Sequence, residues 1–190
     1  ESLLDLPLMT DPNRAATVDV LSLFTTPAYF ASKRLYALVL FQLVLLSLEH
    51  GNTDGSALAY SLLGNVLGPQ FGDYHDGYRF GRLSVDLVEK RGLDRFAARV
   101  LMVFATNVIP WTSHLRASHA MTKKALDVAL AVDDLTYASY CGCFAITYQL
   151  ACGDPLGDVH RAAESALEFA RKTGYGFVVD YGTAQLRLIR

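Results

Sequence analysis

Charge is scarce in this chain: 17 Lys and Arg and 19 Asp and Glu among 190 residues, 19% charged in all, with a formal net charge of −2. No basic tract occurs, so the electrostatic footprint of a nucleic-acid binder is missing. Cysteine is scarce too. Cys141, Cys143 and Cys152 are odd in number and clustered within 12 residues. That pattern argues against a disulfide framework and fits a reducing cytoplasm. Long apolar runs are absent. The longest, LYALVLFQLVLLSL (35–48), is 14 residues and contains Gln42 and Ser47. A bilayer needs about 20, so this run reads as a buried helix and no membrane span is expected. Residues 1–30 lack the basic start, apolar core and small-residue cleavage site of a secretory signal.

What the chain does have is apolar content and a period. Hydrophobic residues make up 52%, ample for a core and incompatible with disorder. Gly51, Gly92, Asp133 and Gly174 follow one another at intervals of 41. Each ends a helix-like stretch: LVLLSLEHG (43–51), SVDLVEKRG (84–92), ALDVALAVD (125–133) and ALEFARKTG (166–174). The copies match position by position. Ser84, Ala125 and Ala166 are small, Val85, Leu126 and Leu167 aliphatic, and Asp86, Asp127 and Glu168 acidic. Leu87, Val128 and Phe169 follow as apolar residues. Apolar, acidic, apolar in succession gives a helix with one buried and one wet face. A fixed period near 40 with a breaker at a constant place is the signature of an α-helical repeat array.

The prolines and glycines divide the chain into helices. Asp11-Pro12 starts the first, expected over 13–25 and interrupted by Thr26-Pro27. Helices are expected over about 28–50, 53–68, 73–91, 93–109, 113–132, 134–152 and 157–173, with a last from about 176. FVVDY (177–181) has strand-like composition but aligns with FAARV (96–100) and reads as helix. Gly64 with Ala105, and Gly81 with Thr122 and Ala163, supply the small positions where antiparallel helices approach closely. The fold class is therefore all-α: a right-handed superhelix, or α-solenoid, of antiparallel helix pairs, tetratricopeptide-like with a period of 41 and roughly seven to nine helices. The expected organisation is a single helical repeat domain over 1–190, read as an excised piece of a longer chain. It has N-terminal helices (1–50), repeats at 51–91, 92–132 and 133–173, and the start of another at 174–190.

Several spaced strings, LLDLPLMTDP (3–12), LSLEHGNTDGSALAYSLLG (46–64), GDYHDGYRFGRLSVDLVEKRG (72–92), PWTSHLR (110–116), DDLTYASYC (133–141) and GDPL (153–156), together resemble one family. It is the helical repeat region of very large bacterial and fungal multi-domain signalling kinases. The resemblance implies a parent with a serine/threonine kinase domain, an AAA-type predicted ATPase domain, this region, a GAF sensor domain and often a histidine kinase. Asp133 stands where the family's Gly-Asp turn is expected, and Asp tolerates left-handed backbone. The sequence holds no GxxxxGK followed by Ser or Thr, no HRD or DFG and no histidine phosphoacceptor box. Kinase or ATPase chemistry thus belongs, by resemblance, to other parts of the parent. The expectation is a non-catalytic scaffold and protein-interaction region in signal transduction, with no cofactor and no metal.

The candidate binding residues follow from the repeat. Asn65, Thr106 and Thr147 are one period apart and polar inside apolar helices, with Asn107, Trp111, Tyr148 and Gln149 nearby. The first helix of each pair lines the concave side of a solenoid, so this ladder offers hydrogen bonds to a peptide or to another domain of the same chain. Alternatively, each hydroxyl bonds back to its own helix. A different class of reading, a small-ligand or metal-binding helical protein or enzyme, rests on His75, His114 and Trp111, with Asp73 and Asp76 near the first histidine. Against it, Asp73 is placed to cap a helix. Tyr78, His119 and His160 recur at 41 as half-buried polar-aromatic positions. Cys141 and Cys143 lie about 200° apart on a helix and read as buried small hydrophobes. Gly72, Gly77 and Gly81 have no preceding strand and no following Lys-Ser or Lys-Thr, so they serve turns and packing, not phosphate. Exposed apolar faces make a homodimer a further expectation.

Overall fold

The computed structural model describes residues 2–189. Among these the chain is all-helical, with nine α-helices and no strand beyond one isolated bridge between Leu8 and Asn52. The helices are α1 (Pro12–Ala31), α2 (Lys33–His50), α3 (Asp54–Phe71), α4 (Tyr74–Arg91), α5 (Ala97–Val103), α6 (Leu115–Ala131), α7 (Leu135–Ala151), α8 (Leu156–Thr173) and α9 (Gly176–Ile189). They fall into two compact units, one through Phe104 and the other from Ala105.

In the first unit the leading segment is clamped rather than loose. Asn52 N–H donates to the Pro7 carbonyl at 2.8 Å, and Met9 N–H donates to the Asn52 carbonyl at 3.0 Å. The Asn52 side chain, 1% exposed, donates to Leu3 O at 2.9 Å, and Arg91 donates to Leu4 O and Leu6 O at 2.5 and 3.3 Å. This approach needs glycine at 51. Its φ is 102°, and a Cβ there would strike the Pro7 carbonyl oxygen. α3 and α4 pack at the closest seam of the unit. A Cβ on Gly64 would lie 2.6 Å from Gly77 O and 3.0 Å from Gly81 N, so all three positions are small because two backbones meet there. The buried core includes Leu40, Leu43, Leu58, Tyr60, Val85, Leu87 and Leu101. Several of its buried hydroxyls are paired: Ser47 with Ser56 at 2.7 Å, and Ser61 with Val100 O at 3.2 Å.

Two helix boundaries differ from the sequence expectation. Pro27 does not interrupt the first helix, which runs to Ala31, so 28–50 is not one helix. The break is at Ser32, whose φ of −164° leaves the helical region while its N–H bonds Ala28 O and its hydroxyl caps Leu35. Pro27 sits on an exposed side of α1, where the lost bond to the Leu23 carbonyl costs least. Pro69 likewise lies within α3, one turn before the left-handed Gly72 closes it. Proline therefore does not mark every inter-helix turn. The run 35–48 is also not wholly buried: Leu40, Leu43, Val44 and Leu46 face inward, while Leu38, Phe41, Leu45 and Leu48 are exposed.

The stretch expected as one helix over 93–109 is a short α5 followed by a π-helical segment, Phe104–Val108, and a 3-10 turn, Ile109–Trp111. Pro110 explains the change. It has no N–H to give the carbonyl four residues back, and the backbone widens instead.

In the second unit α6 to α9 form successive antiparallel hairpins. α7 packs on α6, α8 and α9. Cys143, Ala170 and Val178 make one core cluster, and Ile146, Val159 and Ala163 another. Asp133 adopts φ 54°, as the turn argument requires, and Gly92 and Gly174 take 68° and 72°. FVVDY lies inside α9. No helix among the described residues is long and apolar enough to cross a membrane.

Candidate interaction surface

Pro110 organises the polar network of the second unit. An α-helical N–H at 110 would bond Thr106 O, and a π-helical one Ala105 O; proline supplies neither. Tyr148, buried on α7, fills the vacancy. Its hydroxyl lies 3.3 Å from each of these carbonyls and donates to them. Burial raises its pKa to about 12, so it remains a donor at any ordinary pH. Thr106 and Asn107 sit on the same segment, with the Thr106 hydroxyl donating to Asn107 Oδ1 at 3.0 Å. Trp111 ends it, 59% exposed.

Thr147 bonds back to its own helix, as the alternative reading of the polar ladder has it, and also across to a neighbouring helix of the same unit. Its hydroxyl reaches back to Cys143 O at 3.3 Å and across to Tyr181 Oη at 3.2 Å. Gln185 Nε2 donates to Thr147 Oγ1 at 2.8 Å and to Cys143 O at 3.1 Å, tying α9 to α7. The structure thus brings Thr106, Asn107, Thr147 and Tyr148 into one neighbourhood. Asn65 lies on α3 of the first unit and is half-buried.

Alongside this network runs an aromatic stripe that the sequence analysis did not single out. Tyr137, Tyr140 and Phe144 project from α7, and Phe177 and Tyr181 from α9. Tyr140 meets Tyr175 edge-on at 5.3 Å with their hydroxyls 2.8 Å apart. Phe177 stacks on Tyr181 at 6.5 Å, and Phe144 packs on Tyr181 at 6.4 Å. Burial, then the Tyr175 hydroxyl, raises the Tyr140 pKa. Phe177 and Tyr181 remain exposed. Aromatic rings with reachable hydroxyls are the side chains most enriched at protein interfaces. The signal lay in the helical spacing of 137, 140 and 144, and in the interval of 41 between Tyr140 and Tyr181.

The other face of α7, about 180° around at 100° per residue, floors an open groove of about 350 Å³ between α6 and α8. His119 and Lys123 line one wall, Ser139 and Gln149 the floor, and Ser165 and Phe169 the other wall. Burial lowers the His119 pKa below its ordinary 6.5, the nearby Asp154 opposing that shift. Tyr78, His119 and His160 are all half-buried, as their common period requires.

The residues of the metal and small-ligand reading have local tasks. Asp73 caps α4 by accepting the Asp76 N–H at 3.0 Å. His75 is exposed, with Nδ1 3.2 Å from Asp76 Oδ1. His114 caps α6, its Nδ1 accepting the Arg116 N–H at 3.1 Å. Among the described residues, no three His, Cys, Asp or Glu side chains converge into a set that would hold a metal ion. Cys141 and Cys143 are buried free thiols, pushed up to about 12 and about 11 by burial. That is the behaviour of small hydrophobes, not of thiolate ligands.

No family model matches the chain. The chain is similar over part of its length to a curated signalling protein. Over 138 residues, 72% of this chain, it is 25% identical to hybrid signal transduction histidine kinase G of Dictyostelium discoideum. The matched region spans 4% of that protein's length.

Proposed function

We propose that this chain is a non-catalytic helical-repeat scaffold in a multi-domain sensor kinase, cytoplasmic and engaged in protein interaction. The observation that carries the reading is the recurrence of positive φ at Gly51, Gly92, Asp133 and Gly174, at the interval of 41 that the sequence repeats. Each of these residues closes a helix, and Gly51 and Asp133 are followed by the packed pairs α3–α4 and α7–α8. That is how a tetratricopeptide-like unit is copied along a chain, and it supports a right-handed superhelix with repeats at 51–91, 92–132 and 133–173. The distant similarity to a signalling histidine kinase supports the signal-transduction context. In that context kinase, ATPase-like and sensor domains lie elsewhere on the parent polypeptide, and this region spaces and contacts them.

The binding surface we assign is the network around Thr106, Asn107, Trp111, Thr147 and Tyr148, extended by the aromatic stripe. The partner is another domain of the same chain or a protein segment. Thr147 and Tyr148 hold the surface together from within. Trp111, Phe177 and Tyr181 are its contact side chains, because large rings near a polar rim carry most binding energy. Titrating the chain with the neighbouring domains of its parent tests this. Saturable binding is expected, weakened at least tenfold by Thr106→Ala/Asn107→Ala with the melting temperature unchanged. Unchanged affinity would remove this surface from the account.

A further inference from the structure

α1 and α2 present an inverted pattern. The buried side of α1 is Val18, Ser22, Thr25 and Ala28, while its exposed side carries Val20, Leu23, Phe24 and Phe30. α2 is apolar all round, and its outward side carries Leu38, Phe41, Leu45 and Leu48. These eight side chains are between 42% and 76% exposed. A helix that is apolar on every side is normally covered on every side, and monomers seldom leave so large an apolar face in water.

The spacing of 38, 41, 45 and 48 is three, four, three, the seam of a two-helix contact. The stripe is also self-complementary. Arg34 and Glu49, Leu38 and Leu45, and Phe41 and Gln42 are equidistant from one point, midway between 41 and 42. Arg34 and Glu49 are both exposed. A second α2 running antiparallel about a two-fold axis at that point sets Leu38 of each copy against Leu45 of the other. It also sets Arg34 of each against Glu49 of the other. An isologous interface requires this of a surface: one patch that complements itself. The four outward side chains of α2 supply the apolar centre of such an interface, with the Arg34–Glu49 pairs at its two ends.

We propose that the α1–α2 face binds a second copy of this chain, with α2 antiparallel to its partner in a two-fold symmetric helix bundle. The proposal stands apart from the repeat reading and from the surface on α7 and α9. Analytical ultracentrifugation of the chain from 1 to 100 µM, roughly the range in which a specific contact shows itself, is the test. A dimer is expected. Leu38→Glu/Leu45→Glu should weaken it at least about 100-fold, and the helical circular dichroism should stay intact because both side chains point outward. Arg34→Glu should weaken it less, and adding Glu49→Arg should restore it. A chain that stays monomeric at the highest concentration overturns the proposal, as does a dimer that survives Leu38→Glu/Leu45→Glu. A monomer whose α2 stripe becomes protected only when a different protein segment is added assigns the face to that segment and equally overturns it. Failure of the charge exchange to restore the dimer overturns the antiparallel pairing.

Discussion

Replacing Gly64 by alanine sets two effects of known sign against each other. In a helix interior, alanine is favoured over glycine by about 1 kcal/mol. The new methyl, however, would lie 2.6 Å from Gly77 O, where ordinary contact begins at 3.4 Å. α3 and α4 must therefore part by about 0.8 Å along their seam, and a gap of that order forfeits a quarter to a half of each dispersion contact across it. The obstacle is backbone, so no side chain can rotate away. Overpacking of this kind costs about 1–3 kcal/mol, and here it falls at the upper end. The net loss expected is about 1–2 kcal/mol, a fall of roughly 2–8 °C in melting temperature for a chain of this size. Gly157→Ala is the control. The nearest atom to its new methyl is the tip of Arg161 at 3.9 Å, so only the propensity gain remains. Parallel thermal melts by circular dichroism should show opposite shifts. A Gly64→Ala protein that melts at or above the wild type would refute the close-packing argument.

Tyr148→Phe removes the donor to Ala105 O and Thr106 O and leaves both carbonyls short of a partner. A loss of about 1–2 kcal/mol is expected. Pro110→Ala in the same protein restores a backbone N–H, so the two changes should be non-additive in a double-mutant cycle of melting free energies. Asp86 gives the pH dependence. Burial opposes its charge, but hydrogen bonds from Lys90 and Arg82 outweigh it and hold the carboxyl below its ordinary 3.8. The unfolded chain therefore takes up the proton first. The contribution of Asp86 is complete above pH 3.8 and disappears as the pH falls through the lower folded value. Asp86→Asn should cost about 0.5–1 kcal/mol at pH 7 and progressively less as the pH falls below 3.8, read from urea midpoints along that series.

The helical class was legible because periodicity of apolar positions and capping chemistry act locally. Asp11, Asp73 and the positive-φ residues at 92, 133 and 174 stand where the sequence places them. Small residues at 64, 77 and 81 were legible as packing positions, since only a close seam explains them. Pro27 and Pro69 look like stops in the sequence yet lie inside helices, because a proline on an outward turn loses one bond and little else. Whether a turn faces outward depends on tertiary packing. The π-helical segment follows from Pro110, but the tyrosine that answers it lies 38 residues later (148 − 110) and has no local signature. The same holds for Gln185, whose partners Cys143 and Thr147 meet it only when α9 lies on α7. The exposed side of 35–48 was hidden for a simpler reason: an all-apolar run carries no record of which side is covered.

Native-state hydrogen exchange on the wild type and on Gly64→Ala most directly tests the claim that the chain is an array of hairpins stabilised by their neighbours. In such an array, a local loss stays local. Protection should fall across α3 and α4 and fade in the helices packed on them, while α8 and α9 exchange as before. An equal loss of protection at every core amide, from Val18 to Val178, would mark one cooperative globule and contradict the repeat account.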